Sequence, residues 1–568
     1  MSLEIKKMLD GHLPTEKITC FSLLDPTSAA LQRWVDSLPM LNVGSTAKQI
    51  FTTVQELAIL DITDSLRFEM MEILRPAIET IIASMSKHYL NQNLMHDQRA
   101  ERIAQITQQM RAISAMIYHG IATRTLQHYQ TQTFGAFDIF KKKSLVSLMS
   151  KATHRGLAEL YALLLKIKTL HLSDCAGLWL RLHELYRLAQ RMGLAGYTLE
   201  DLHQSYGTKL SIKQMYLRPI FLSICHTHKL RQSEIKKIGQ LSELWVGLIQ
   251  LSSKPSSHDL LYVDPNRDIA PLYTQPTPPR AVDCLYINVD ALIQHVEHLN
   301  GSAAQLLHPD EGILLSTSLK QHLLHSLHGP KERASERQAQ DGELTMALGF
   351  IGVHYQLAGE RPLSELINAP DQLSMMDFGD IYTNLNLNYE MVQDDSRSTA
   401  MDDYVVCYPG NLVNASATGY CVRWAGTPPR TLRTGELISL KKADASVWQV
   451  GLVRWVQPQQ PVDPQSGLEI LSERGIACGA RVIREDGQSS DYMRALLLPH
   501  DGAHGKSTLI TPAQLFKSGH KVCVKLGDEE VNILLEREVL ATQSFSQFEF
   551  VVESVFAVKP QTLNQMMS

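Results

Sequence analysis

The sequence predicts a multidomain α+β protein, an N-terminal all-α helical bundle or solenoid followed by one or more C-terminal antiparallel β-barrels. Three observations predict it. Apolar residues recur with a helical period from about residue 26 to 253, a Ser- and Pro-rich stretch follows, and from about residue 340 the apolar runs shorten to strand length between clusters of turn residues. The chain has 568 residues, more than one hydrophobic core normally organises.

In the helical half, Asp64 stands as a cap before the stripe Leu66, Met70, Ile73 and Leu74, and Pro76 inside that pattern predicts a kink or a boundary. Ile103, Ile106, Met110, Ile113 and Ile117 form a second stripe. Apolar helices follow at 157–172 and 178–192, and a last one begins after Ser233, with Ile235, Ile238, Leu241, Leu244, Trp245 and Leu248 on one face. Trp179, Leu182, Tyr186 and Ala189 resemble the first helix of a tetratricopeptide repeat, but position 183 is His and nothing recurs at the 34-residue period, so a packed aromatic helix is expected. Leu-Arg-Pro occurs twice, at 74–76 and 217–219.

The expected organisation is a helical region over 1–253, a linker over 254–280, a small mixed α/β segment over 281–329, a barrel over 330–475 with an insertion at 358–403, a second β-rich module over 476–556 and a tail at 557–568. Candidate strands of the first barrel are 344–352, 404–408, 419–424, 436–440, 448–456 and 468–471; those of the second module are 480–484, 495–498, 508–510, 521–525, 531–536 and 548–552.

The formal net charge of −5 and pI near 6.5 offer no basic face for a nucleic-acid polymer. The N-terminus MSLEIKKMLDGHLPTEK has no apolar core of a secretory signal, and no run of 18 uncharged apolar residues predicts a membrane span. The eight cysteines are scattered without a C-x-x-C pair, which reads as reduced thiols and no zinc site. A cytoplasmic protein is expected.

The segment Asn414-Ala-Ser416-Ala-Thr-Gly419 resembles the D/N-x-S-x-x-G signature of PilZ domains. Thr434-Gly-Glu436-Leu-Ile resembles that family's G-E-x-hydrophobic strand, and the run from Trp448 to Trp455 its central barrel strand. Upstream, Arg333-Ala-Ser-Glu-Arg337 is similar to the family's R-x-x-x-R approach segment. The resemblance covers about residues 330–475. It implies a PilZ-like barrel that binds cyclic di-GMP, with Arg333 and Arg337 clamping phosphate and guanine, Asn414 and Ser416 reading the guanine edge, and Gly419 making room. These residue types suit such a ligand: guanidinium forks bind phosphate and guanine O6/N7, and a short amide and a hydroxyl pair with a base edge.

Other signals carry less. Arg187 and Arg191 share the arginine spacing but lie in a helix, where a solvated pair is expected; His500–Ser507 mimics the end of a phosphate-binding loop, but reads as a hairpin turn; Cys225-His226-Thr-His228 has ligand types without a second pair at metal spacing; the acidic residues Asp394, Asp395, Asp402 and Asp403 read as solvated. No catalytic constellation stands out, so no enzyme, no catalytic residue, no metal and no cofactor is expected. The expectation is a signalling adaptor whose barrel senses cyclic di-GMP and whose helical platform binds a protein partner; the alternative is a ligand-independent scaffold using a degenerate barrel for docking.

Overall fold

The computed structural model describes residues 2–9, 17–90, 98–135, 138–201, 205–206, 209–274, 283–299, 306–329, 338–367, 406–416, 419–426, 428–429, 431–457, 464–483, 490–499, 506–513, 515–542 and 544–554. The chain divides into two compact units, Met1–Lys331 and Glu332–Ser568.

The first unit is mainly helical: α1 (Ser2–Leu9), α2 (Ser28–Asp36), α3 (Val43–Ile59), α4 (Asp64–Ser86), α5 (Gln98–Thr131), α6 (Ile139–Thr169) and α7 (Leu178–Arg191). A two-stranded ribbon, β1 (Thr198–Glu200) with β2 (Lys209–Ser211), leads into α8 (Ile212–Ile224) and α9 (Gln232–Trp245). Caps sit where short polar side chains occur. Thr27, Asn42 and Thr63 each accept a backbone N–H at their helix starts, and Ser211 with Gln214 forms a reciprocal capping box. The cap before α4 is thus Thr63, with Asp64 as the first helical residue, where its charge suits the helix dipole. Pro76 neither ends α4 nor marks a boundary: the helix continues to Ser86, packed against α2, α3 and α5. Trp179 and Tyr186 are buried in α7, and Tyr186 stacks on Tyr216 at 4.1 Å, as a packed aromatic helix would.

Both Leu-Arg-Pro triplets put a buried arginine just before a proline inside a helix. Arg75 forks onto Asp201 at 2.9 and 2.7 Å and reaches Glu159 at 3.1 Å. Glu159 also holds Arg111 at 2.8 Å, and Arg155 binds Glu72, which accepts the Tyr118 hydroxyl at 2.7 Å. Arg218 binds Ser242 at 2.9 Å and Glu243 at 3.3 Å. Burial works against the charge on Arg75, but Glu159 and Asp201 overcome it and raise the guanidinium well above its ordinary value.

The stretch expected as a linker is structured where it is described. Strands β3 (Gln250–Ser252), β4 (Leu261–Val263), β5 (Leu272–Tyr273) and β6 (Leu285–Asn288) form an antiparallel sheet in the order β3-β6-β4-β5, and β4 is wholly buried. Helices α10 (Asp290–His298), α11 (Glu311–Leu314) and α12 (Thr317–Leu327) follow, and apolar residues of this segment join the core of the helices before it. Serines and prolines hid β4 and β5, which are only three and two residues long.

The second unit holds two closed, six-stranded antiparallel barrels. The first is built from β7 (Gln338–Leu348), β8 (Tyr408–Ser416), β9 (Gly419–Trp424), β10 (Leu437–Lys442), β11 (Gln449–Gln457) and β12 (Gln465–Ser472), with α13 (Gly349–Leu357) and α14 (Leu363–Leu366) after β7. The second comprises β13 (Ile476–Ile483), β14 (Met493–Leu498), β15 (Thr508–Pro512), β16 (Lys521–Leu526), β17 (Glu529–Ala541) and β18 (Phe545–Ser554). Their closed orders, β10-β11-β12-β9-β8-β7 and β13-β14-β15-β18-β17-β16, are the same topology: in each, the first three strands pair in sequence, the last three pair in sequence, the third meets the sixth and the fourth meets the first. The run expected as one strand over 344–352 divides at Gly349, whose φ of 84° turns the chain out of β7 into α13. Val353 on α13 shares an apolar cluster with Leu437 and Leu452 of the first barrel and Leu496, Ile510 and Phe545 of the second. His354 of the same helix bonds the Cys478 carbonyl through Nε2 at 3.1 Å, and burial pushes its imidazole down to about 4. Among the described residues no helix is long and apolar enough to cross a membrane.

Candidate ligand-binding site on the first barrel

Asn414, Ser416 and Gly419 lie at the β8–β9 hairpin. Asn414–Ser416 are the last three residues of β8, and Gly419 begins β9. Pro409, Gly410 and Asn411 disfavour a strand, but β7 and β9 supply ladder partners on both edges. Ser416 pairs with Gly419 across the hairpin, and its Oγ donates to the Gly419 carbonyl at 3.1 Å. Gly419 has a packing reason to be glycine: a Cβ there would stand 2.4 Å from the Leu468 carbonyl oxygen of β12.

The ladder shifts register on both sides of Asn414, between Ala339 and Gly342 on β7 and between Leu412 and Asn414 against β9. Such bulges re-aim side chains. The Asn414 Oδ1 is buried without a hydrogen-bond partner among the described residues. An unsatisfied buried amide oxygen costs on the order of 1–3 kcal/mol, which a donor brought by a ligand would recover.

Arg333 and Arg337 lie outside the described residues, as do 368–405, which include the acidic residues Asp394, Asp395, Asp402 and Asp403. The point where the arginine segment joins the barrel is described. Gln338, the residue after Arg337, opens β7 opposite Ala415, and Ala339 faces Asn414. Strand β7 therefore begins beside the Asn–Ser pair.

One cross-strand row extends from this point. Ala339 pairs with Asn414, Asn414 with Cys421, Cys421 with Gly467, and Gly467 with Trp455. Residues in register share a face, and the opposite face holds the buried Leu412, Val422, Ser466 and Leu468, so the row lies on the outside of the barrel. The indole of half-buried Trp455 lies over Gly467, where a Cβ would meet its Nε1 at 1.9 Å. Small residues thus floor the space between Asn414 and Trp455. Two residues along β9 from Cys421, on the same face, Arg423 is exposed and forms no ion pair among the described residues. Sequence reasoning placed Trp455 in a barrel strand but gave it no role, because the row becomes visible only when five strands are in register.

The other signals resolve structurally. Arg187 is not free in solvent: it donates to Asn266 Oδ1 at 2.8 Å and to the Pro265 carbonyl at 2.7 Å. Leu498 of β14 pairs with Thr508 of β15, and 500–505 between them lie outside the described residues. His226 and His228 are pushed down to about 4 by burial. Among the described residues no group of three or more His, Cys, Asp or Glu could hold a metal ion.

The closed barrel, the approach strand and the N-x-S-x-x-G hairpin make this chain an atypical PilZ-domain protein with a large helical N-terminal region. Family models agree along the chain: "Cyclic-di-GMP receptor FimW, N-terminal domain" matches residues 29–256, "Cyclic-di-GMP receptor FimW, middle PilZ domain" matches 260–402 and 380–476, and "FimW C-terminal beta-barrel domain" matches 478–552. The chain is also similar to the cyclic-di-GMP receptor FimW of Pseudomonas aeruginosa, 27% identical over 586 aligned positions that cover 95% of this chain and 93% of that protein.

Proposed function

We propose that this chain is a non-enzymatic cytoplasmic receptor that binds cyclic di-GMP on the outside of its first barrel and passes the signal on through a protein partner of the helical unit. Arg333 and Arg337 clamp phosphate and guanine, Asn414 Oδ1 accepts from the guanine edge, and Ser416 adds its hydroxyl. Trp455 offers a flat apolar surface for a purine, and Gly419 keeps the hairpin tight against β12. The observation that carries this reading is the register that sets the residue after Arg337 opposite Ala415, between Asn414 and Ser416. The similarity to a protein named a cyclic-di-GMP receptor supports the choice of ligand.

Calorimetric titration tests it. Wild type should give saturable heat with cyclic di-GMP, and the Arg333→Ala/Arg337→Ala double variant should bind about a hundredfold more weakly or worse, since each lost fork is charge-assisted. A silent wild type would overturn the receptor reading and leave the scaffold reading.

A further inference from the structure

The longest helices of the first unit, α5 with 34 residues and α6 with 31, form a hairpin whose distal end is not used by the core. On α5 the last fully buried residue is Thr125. On α6 residues 139–144 are exposed, 145–148 are half-buried, and full burial begins at Met149. At a rise of about 1.5 Å per residue, the six exposed residues 139–144 carry the tip roughly 9 Å beyond the half-buried turn in which Leu148 packs on the core.

The composition of that tip has no stability rationale. Phe140 is 84% exposed and Ile139 57%, beside each other in the first turn. Lys141, Lys142 and Lys143 follow immediately, all exposed, and none forms an ion pair among the described residues. Three cations near a helix N-terminus oppose the helix dipole, which favours anions there. Lys142 lies 5.8 Å from the Tyr129 ring centroid, and Tyr129 packs on Phe134 at 5.3 Å, so aromatic rings back the lysines. In a chain of net charge −5 this is a local concentration of positive charge around exposed apolar side chains.

We infer that the α5–α6 tip docks the protein on an anionic phospholipid surface, with Phe140 and Ile139 entering the headgroup boundary and Lys141–Lys143 pairing with lipid phosphates. The features match interfacial binding: apolar side chains to insert, lysines to draw the tip to negative charge, and long lysine stems that keep ammonium groups at the headgroups. The convex end of a helical hairpin meets a planar surface without needing a complementary pocket. The inference goes beyond cyclic di-GMP binding and does not rest on it.

Vesicle flotation of the full-length protein tests it, with phosphatidylcholine vesicles against vesicles containing about 40% phosphatidylglycerol. Wild type should float with the anionic vesicles, not with the neutral ones, and be released by high salt. Each lysine near an anionic surface contributes about a factor of five, so Lys141→Gln/Lys142→Gln/Lys143→Gln should weaken partitioning about a hundredfold. Phe140→Ser should weaken it, Phe140→Trp should retain it, and Ile313→Ser, at an exposed apolar position on α11, should leave it unchanged. Thermal melts should be unaltered, because the changed side chains are solvent-exposed. Wild type that ignores anionic vesicles overturns the inference, as does partitioning insensitive to the lysine and Phe140→Ser changes. Retention on immobilised polyglutamate without vesicle binding would overturn it in favour of an acidic protein partner.

Discussion

The two barrels share one winding but build the same hairpin differently. In the first, the hairpin between the second and third strands closes tightly from Ser416 to Gly419, is bulged around Asn414, and carries a row of small residues on its outer face. In the second, the corresponding strands β14 and β15 pair without a register shift. Ala495, Leu496, Leu497 and Leu498 are all buried: Leu497 and Leu509 face the barrel interior, while Leu496, Leu498 and Ile510 face the cluster around α13. Both faces of the second hairpin's strands are taken up by packing. Barrel topology alone therefore does not make a ligand site; on the first barrel the proposed site rests on the bulge that aims Asn414.

Changes to each hairpin should fail differently. The largest stability loss is expected from Leu496→Ala, about 2–5 kcal/mol from the cavity left between α13 and the second barrel, read by urea unfolding, with cyclic di-GMP affinity intact in the folded fraction. Gly419→Ala should cost about 3 kcal/mol by forcing a Cβ onto the Leu468 carbonyl, the upper end for overpacking; a neutral change would contradict the close approach of β9 and β12.

Acid should weaken the joint that α13 makes. Buried His354 is held down at about 4 in the folded protein, against about 6.5 when unfolded. The unfolded chain therefore takes up its proton first, so the contribution is complete above about pH 6.5 and is lost as pH falls toward 4. From pH 7 to 5 the second unit should lose on the order of 2 kcal/mol from this group; His354→Gln should flatten that part of the profile. The smallest effect belongs to Ser416→Ala, which removes the hydrogen bond to the Gly419 carbonyl and should cost about 1 kcal/mol in stability.

Much of this architecture was legible from residue order. Gly419–Trp424 is a strand with the bounds read from its alternation and flanking turns, and all six strands of the second barrel fall on expected apolar runs. Strand β8 escaped, because Pro409, Gly410 and two asparagines weigh against it and only its neighbours make it a strand. Strands β3, β4 and β5 escaped for the opposite reason: they are so short that Ser and Pro dominate the surrounding composition. Asn414, Ser416 and Gly419 could be found as a linear motif. The bulges that aim Asn414, and the alignment of Trp455 with it, depend on register between strands distant in sequence, which no local pattern encodes.

Titration of the full chain with cyclic di-GMP, run on wild type, Asn414→Ala and Lys506→Ala, asks most directly whether the first barrel and not the second is the receptor. Lys506 borders the second barrel's equivalent hairpin and pairs with Glu536 at 2.6 Å. The expected result is saturable binding by wild type, a loss of about ten- to hundredfold in Asn414→Ala from the missing base contact, and an unchanged affinity in Lys506→Ala. Asn414→Ala titrating like wild type, or Lys506→Ala losing the ligand, would contradict it.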